Sequence, residues 1–187
     1  MYMLAFKRQY TADDIQDFPD DGNRYEVIDG ELLVTPAPSL AHQAAVGKLF
    51  VLLDAYVKRH ARGFTLLSPA DIRFSSRRAV QPDVFVAPLF NDRPPRNWSE
   101  IKTLIVAAEV SSPTTARYDR VTKRKMFFDE RVSEFWVVDL DARVIERSTP
   151  DNIRPEILDE KLEWMPAGAT EPFVIDLVDY FASVLDT

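Results

Sequence analysis

The 187-residue sequence contains no cysteine and only two histidines, His42 and His60. Without cysteine, the chain can form neither a disulfide bond nor a thiolate metal site. The two histidines are too far apart for the paired-histidine motif of zinc hydrolases, and the sequence also lacks a glycine-rich phosphate loop and the Gly-x-Ser-x-Gly turn of serine hydrolases. These absences exclude several common classes of hydrolase and nucleotide-binding protein.

Positive charge and long apolar runs are also scarce. The chain has 23 Lys and Arg against 30 Asp and Glu, a formal net charge of -7. Binding to nucleic acid usually needs a basic surface, so this balance weighs against it unless the positive side chains gather on one face. We find no apolar run of the length that a bilayer requires and no secretory signal pattern. The sequence therefore predicts a cytoplasmic protein with no membrane partner.

The composition is that of an ordinary globular protein, with 46% hydrophobic and 28% charged residues. No internal repeat, low-complexity tract or flexible linker divides the chain. We therefore expect one domain over residues 1–187.

Local signals in the first third predict a helix, a hairpin and a second helix. Thr11 is a candidate N-cap for a short helix that ends before Pro19. Two alternating runs joined by Asp-Gly at 29–30 indicate a β-hairpin. Apolar residues recur at helical spacing from Ser39, and Gly63 is a candidate C′ residue for that long helix.

Strands and helices alternate in the rest of the chain. The apolar run just before Glu109 and the run that starts at Glu134 are typical of central strands that are buried on both faces. A strand, a helix and a second central strand form a crossover unit, so the sequence predicts an α/β fold with a mixed sheet. The patterns place strands at 64–74 (with Pro69 at an edge or bulge), 80–87, 103–108, 134–140 and 143–147, and helices at 112–131 and 177–185.

Two acids stand at the ends of apolar strands. Asp83 lies between Pro82 and the run Val84-Phe85-Val86, and Glu109 closes the run 104–108. A carboxylate that faces a core costs several kcal/mol unless it is paired or bound to a metal. Two such acids on neighbouring strands would form a hard oxygen site suited to Mg²⁺ or Mn²⁺. The alternative is that each acid marks a strand end and points into solvent.

The predicted helix at 112–131 is rich in basic residues. Asp119 and Lys123 are four residues apart and share one face, so they either form a surface ion pair or carry the lysine over the strand ends, beside the carboxylates. Arg117, Arg120 and Arg124 would then follow a phosphate backbone. The expected apolar face comprises Tyr118, Val121, Met126 and Phe128.

Several motifs occur in a characteristic order: RYEVIDGEL at 24–32, PAPS at 36–39 followed by His42, PDV at 82–84, EVSSPT at 109–114 and EFWVVD at 134–139. In this order and spacing the chain resembles the Uma-two family of restriction endonucleases, a domain family of unknown function within the PD-(D/E)XK nuclease superfamily. The resemblance implies a restriction-endonuclease-like core, with a central mixed sheet flanked by helices and an N-terminal β-hairpin extension.

The resemblance also implies site residues. Asp83 and Glu109 would bind Mg²⁺ or Mn²⁺ and would form the catalytic set together with Lys123. The superfamily's usual lysine lies two residues after the second acid, where this chain has Ser111, and Lys123 on the following helix would replace it. Secondary candidates are Glu26, His42, Asp119 and Ser111.

The expected function is metal-dependent endonuclease cleavage of nucleic acid, with DNA as the substrate. Enzymes that cut both strands commonly pair two sites by symmetry, so we expect a homodimer.

Two other functions stay open. Ser111 and the acidic balance favour a catalytically inactive nuclease-like fold that binds nucleic acid or protein. The two acids could also serve glycoside hydrolysis, although Trp98, Trp136 and Trp164 are scattered and suggest no sugar-binding cluster.

Overall fold

The computed structural model describes residues 8–60, 63–152 and 154–186. Near its start the predicted short helix is a 3₁₀ helix, Asp14–Asp17. Thr11 is not its N-cap but donates two hydrogen bonds to the Asp14 carboxylate. Strands β1 (Arg24–Ile28) and β2 (Glu31–Thr35) form the predicted hairpin. Its turn residues have φ values of +52° at Asp29 and +86° at Gly30, the left-handed backbone that a two-residue hairpin loop requires.

The remaining elements alternate in type along the chain. They are α1 (Leu40–His60), β3 (Gly63–Leu67), β4 (Ile72–Ser75), β5 (Arg78–Val80), β6 (Val84–Pro88), a 3₁₀ helix (Trp98–Glu100), β7 (Val106–Ser111), a π-helical segment (Tyr118–Lys123), α2 (Arg124–Asp129), β8 (Glu134–Asp139), β9 (Val144–Ser148), β10 (Glu156–Leu158), β11 (Lys161–Trp164), β12 (Phe173–Asp176) and α3 (Leu177–Leu185).

A six-stranded mixed sheet, in the order β10-β9-β8-β7-β6-β3, forms the centre of the fold. Strands β7 and β8 are parallel and are joined by the π-helical segment and α2, whereas their other neighbours in this sheet are antiparallel. This is the predicted crossover unit, because parallel neighbours cannot be joined by a tight turn. The predicted α/β class, with a central mixed sheet flanked by helices and an N-terminal hairpin, is confirmed.

A second, four-stranded sheet has the order β2-β1-β5-β4. The predictions of single strands at 64–74 and 80–87 are wrong. Each of these ranges contains parts of two strands, one in each sheet. Pro69, in a cis peptide bond with Ser68, separates β3 from β4, and Pro82 separates β5 from β6. Proline cannot donate a ladder hydrogen bond, so the chain changes sheet at these two points. Asp83 lies at the second of them.

The central sheet is buried on both faces, as its continuous apolar strands predict. Along β6, Val84 and Val86 pack into the core that contains α1 and α3. Phe85 and Ala87 alternate to the opposite core, which contains Phe127 of α2 and side chains of the four-stranded sheet. Glu109 of β7 follows Ala107 by two residues, so its side chain lies on the α2 side of the sheet.

Helix α1 differs from its prediction in two ways. Gly63 is not its C′ residue but the first residue of β3, where a β-carbon would lie 2.6 Å from a Val86 methyl group. By length and composition α1 could also cross a membrane, contrary to the expectation of no such run. Its residues Leu49, Leu53 and Val57 are nevertheless buried in the core. A core helix meets the same criterion, so the finding assigns no membrane role.

A buried ion pair holds the start of β8 to β9. The carboxylate of Glu134 is buried and accepts hydrogen bonds from Arg147 at 2.7 and 2.8 Å and from the Trp136 indole at 3.1 Å. We expect Glu134→Ala to lower the free energy of unfolding by about 3 kcal/mol, because it leaves a partly buried guanidinium without its partner. Urea denaturation measures this loss.

The matched control is Glu163→Ala, which breaks an exposed pair with Lys161. It should change stability by less than about 1 kcal/mol. Equal losses for the two variants would contradict a structural role for the Glu134 pair.

Candidate active site

Asp83 lies just before β6, at the point where the chain changes sheet, and its side chain is buried. One carboxylate oxygen, Oδ2, accepts a hydrogen bond from the backbone N–H of Val110 at 2.9 Å and lies 3.1 Å from His42 Nε2. The other, Oδ1, lies 2.8 Å from the Arg24 guanidinium. Burial alone would raise the pKa of Asp83, but the His42 hydrogen bond and the Arg24 charge lower the pKa to about 2. Asp83 is therefore a carboxylate at neutral pH.

Glu109 and Glu26 share one ammonium group. Lys123 Nζ lies 2.9 Å from Glu109 Oε1 and 2.8 Å from Glu26 Oε2. The second Glu26 oxygen accepts from the backbone N–H of Gln81 at 2.8 Å. Glu26 is placed here because β1 pairs with β5, the strand that leads to Asp83. The acids at this cavity thus come from three separate strands or strand ends.

The π-helical segment explains how Lys123 reaches the two glutamates. A π-helical turn contains an extra residue, which shifts the faces of the helix around it. Asp119 and Lys123 are buried there, whereas Val121, predicted on the apolar face, is 61% exposed. Met126, which was predicted on the apolar face, is buried, and so is Phe127. The prediction for Val121 is wrong because it assumed a regular α-helix of 3.6 residues per turn.

Burial and mutual repulsion act on the ionisation of these groups. Burial raises the pKa of Glu109 well above its usual value, and the charge of Lys123 opposes this rise. Burial also raises the pKa of Asp119, again against the charge of Lys123. Burial would lower the pKa of Lys123, but Glu109 and Glu26 outweigh it and raise the pKa. Lys123 therefore stays a cation, whereas burial disfavours the ionised forms of Glu109 and Asp119.

These groups line one cavity of about 400 Å³. The sequence prediction singled out Asp83, Glu109 and Lys123, and the structure brings all three to its wall. The four secondary candidates also line it: Glu26, His42, Asp119 and Ser111.

Sequence reasoning missed Arg24, which lines the same cavity and pairs with Asp83. A signal for it was present, because Arg24 and Glu26 are two residues apart on a predicted strand. Side chains at that spacing point to the same face, so an Arg and a Glu on one face of a hairpin strand could have indicated a shared site.

Two buried polar atoms at this cavity have neither a hydrogen-bond nor an ion-pair partner among the described residues. They are His42 Nδ1 and Ser111 Oγ. Ser111 stands at the end of β7, two residues after Glu109. Its hydroxyl cannot supply a positive charge, whereas the Lys123 ammonium does so from the neighbouring helix, 2.9 Å from Glu109.

The three arginines that were predicted to contact nucleic acid differ in their partners and in their exposure. Arg120 pairs with Asp139 at 2.6 Å and Glu146 at 2.7 Å, and Arg124 donates to Ser148 Oγ and to a backbone carbonyl. A phosphate would have to compete with these contacts. Arg117 is exposed. Binding of nucleic acid by these three residues stays a prediction.

The donors at the cavity suit a divalent cation by charge and by type. Four buried carboxyl groups, from Glu26, Asp83, Glu109 and Asp119, face the two cations of Arg24 and Lys123, so the acidic groups outnumber the cations by two. Carboxylate oxygens are the preferred ligands of Mg²⁺ and Mn²⁺. Within residues 8–60, 63–152 and 154–186, no three acidic or histidine side chains are already arranged around a common point.

Comparison with known proteins supports the fold and identifies the family. A solved structure described as "a putative nuclease belonging to DUF820 from Anabaena variabilis ATCC 29413" matches with a TM-score of 0.69 and 20% identity, over 94% of this chain and 99% of that chain. At this identity the likeness shows a shared fold. No curated protein matches the chain. The Uma2 family model, described as "Putative restriction endonuclease", matches residues 12–175, and the chain therefore belongs to the Uma2 family.

Proposed function

We propose that the protein is a metal-dependent endonuclease that hydrolyses phosphodiester bonds of DNA. The observation that carries this proposal is the convergence of Asp83, Glu109 and Lys123 on one cavity, where buried acidic groups outnumber the cations by two. Buried acids in such number are expensive unless a cation compensates them. A site for catalysis with a hard cation explains why the fold retains them.

Asp83 and Glu109 would hold one or two Mg²⁺ or Mn²⁺ ions, with Glu26 and Asp119 as further oxygen donors. When bound, such an ion polarises the scissile phosphate and lowers the pKa of an attacking water. The backbone N–H of Val110 and His42 Nε2 fix the orientation of the Asp83 carboxylate. Outer contacts of this kind orient metal ligands and commonly affect affinity by about 10–100-fold.

Lys123 has the properties of an electrostatic catalyst. Two glutamates hold its ammonium group in place, and its raised pKa keeps the proton on it. A permanently protonated lysine cannot act as a general base. It can stabilise the charge that develops on the phosphate oxygens, a contribution that is larger in a buried site than in water.

We also propose that the protein is a homodimer. A homodimer would place two sites on the two strands of a duplex. We also propose that the protein acts in the cytoplasm as one domain. With a net charge of -7, contacts to DNA must be concentrated near the cavity, where exposed Arg117 is the first candidate.

The glycoside hydrolase alternative receives little support from the cavity. Trp136 and Trp164 pack edge to face in the core, with ring centroids 5.8 Å apart. No tryptophan, tyrosine or phenylalanine lines the cavity in the part of the chain that the structure describes. Sugar-binding sites commonly use such faces, since an aromatic ring supplies a large apolar surface.

The inactive binding module is the stronger alternative, because the superfamily's usual lysine position holds Ser111. Cation binding separates it from the nuclease. We expect Mn²⁺ titration by isothermal calorimetry to show a site in the wild type and a loss of at least about tenfold in affinity for Glu109→Gln, which removes one negative ligand. Asp141→Asn, an exposed acid at the cavity rim, is the matched control and should bind as the wild type does. A wild type without a Mn²⁺ site would favour the binding module.

A further inference from the structure

The Arg24 guanidinium is paired with Asp83, a carboxylate that would bind the divalent cation in the proposed function. Arg24 Nη2 lies 2.8 Å from Asp83 Oδ1, and Nη1 donates to the Gln81 carbonyl at 3.0 Å. The opposite oxygen of Asp83 already has two partners, Val110 and His42. A cation that binds Asp83 must therefore compete with Arg24 for Oδ1 or displace the partners of Oδ2.

Arg24 is the easier of the two buried cations to displace. Lys123 lies within 2.9 Å of two carboxylates and 4.0 Å from Asp119, and its side chain is 3% exposed. Arg24 contacts one carboxylate, and its side chain is 20% exposed. Because removing a charge from several opposite charges costs more than removing it from one, Lys123 stays in place while Arg24 can leave.

The structure also provides space for Arg24 to move. A second cavity, of about 190 Å³, adjoins the first. Arg24, His42 and Asp83 line both cavities. Both cavities therefore offer space beside the Arg24 side chain.

We propose that Arg24 is a further catalytic residue: it neutralises Asp83 in the cation-free protein, leaves that carboxylate when a divalent cation is bound, and then binds the scissile phosphate. The inference rests on the proposed function, since it requires Asp83 to be a cation ligand. The planar guanidinium suits both partners, because its parallel N–H groups match carboxylate and phosphate oxygens alike. A phosphate beside the cation would give the released guanidinium a new anionic partner.

Removal of Arg24 should affect cation binding in a way that removal of a purely structural arginine would not. If Arg24 and the cation compete for Asp83, removing Arg24 strengthens cation binding, since linkage between the two is reciprocal. We expect Arg24→Gln to bind Mn²⁺ at least about tenfold more tightly than the wild type, the value of one hydrogen-bonded charge contact. Calorimetric titration of the intact chain with MnCl₂ measures this change without any substrate.

Two further variants control for charge and folding. Arg96→Gln removes an exposed positive charge of the same kind that does not line either cavity. Salt screens the effect of this charge, so the Mn²⁺ affinity of the variant should stay within about twofold of the wild type. Arg24→Lys keeps a positive charge beside Asp83 and should retain Mn²⁺ affinity within about threefold. It lacks the guanidinium fork, so its cleavage of a DNA oligonucleotide should still fall about tenfold or more.

The phosphate contact has its own measurement. At Mn²⁺ concentrations that saturate each variant, we expect kcat for Arg24→Gln to fall by about 10²–10³-fold, and free guanidinium ion to restore part of the loss. If Arg24→Gln binds Mn²⁺ no more tightly than the wild type, the competition is wrong. If it binds more tightly but cleaves at the wild-type rate, the phosphate contact is wrong. A wild type that binds no Mn²⁺ would instead overturn the proposed function, and this inference with it.

Discussion

Replacement of Asp83 by Asn should abolish DNA cleavage while the fold remains intact. Asparagine has nearly the same shape, and its carbonyl oxygen can still accept the Val110 N–H bond that holds the 82–84 segment to β7. The change removes the negative charge that a cation requires. Loss of about 4 kcal/mol of transition-state stabilisation, a moderate share of what a bound ion supplies, corresponds to about 10³-fold in rate.

The measurement is cleavage of a labelled DNA duplex in Mg²⁺ or Mn²⁺, after chelation of trace metal. Circular dichroism and thermal unfolding show whether Asp83→Asn is folded. Asp141→Asn makes the same chemical change at the rim of the cavity, outside the buried set, and should cleave at the wild-type rate. Cleavage by a folded Asp83→Asn variant at a rate close to the wild type would remove Asp83 from the mechanism.

Much of the fold could be predicted because its strongest signals are local. Asp29 and Gly30 tolerate positive φ, so the hairpin could be predicted from two residues and the alternation around them. The apolar run before Glu109 and the run from Glu134 are buried on both faces, and they form the parallel pair β7 and β8. The C-terminal helix, predicted at 177–185, is α3, Leu177–Leu185.

The errors in the fold prediction occur where the structure depends on contacts between elements that are distant in the sequence. The predicted strand 80–87 has one continuous apolar pattern, yet β5 and β6 belong to different sheets. A period of two is the same in either sheet, so alternation cannot reveal the change. Val121 was assigned to a buried face by α-helical spacing, whereas the π-helical segment leaves it exposed. Nothing in the local sequence specifies that extra residue in the turn.

One part of the site could be predicted from residue chemistry, whereas another part depends on strand pairing. Asp83 and Glu109 could be predicted to converge, because acids at the ends of apolar strands need a reason to be there. The role of Arg24 depends on which strand lies beside β1. Its partner Asp83 is 59 positions later in the sequence, and only the pairing of β1 with β5 brings them together.

Replacement of Lys123 by Met should have two large effects, one on stability and one on catalysis. Methionine keeps the length of the side chain but leaves Glu26 and Glu109 without the ammonium between them. Breaking a buried pair by removing one partner costs about 3–5 kcal/mol, and we expect a loss of stability in this range by urea denaturation without divalent metal. Lys125→Met, which breaks an exposed pair with Asp129, should cost less than about 1 kcal/mol.

Divalent metal then separates the structural role of Lys123 from its catalytic role. Mn²⁺ can take over the neutralisation of the glutamates, so it should raise the melting temperature of Lys123→Met more than that of the wild type. Cleavage should nevertheless stay about 10²-fold or more below the wild type at saturating Mn²⁺, because a cation bound by the acids does not replace the ammonium that faces the phosphate. Recovery of stability together with full cleavage would show that Lys123 only balances charge, and Arg24 would then be the one protein cation left to stabilise the transition state.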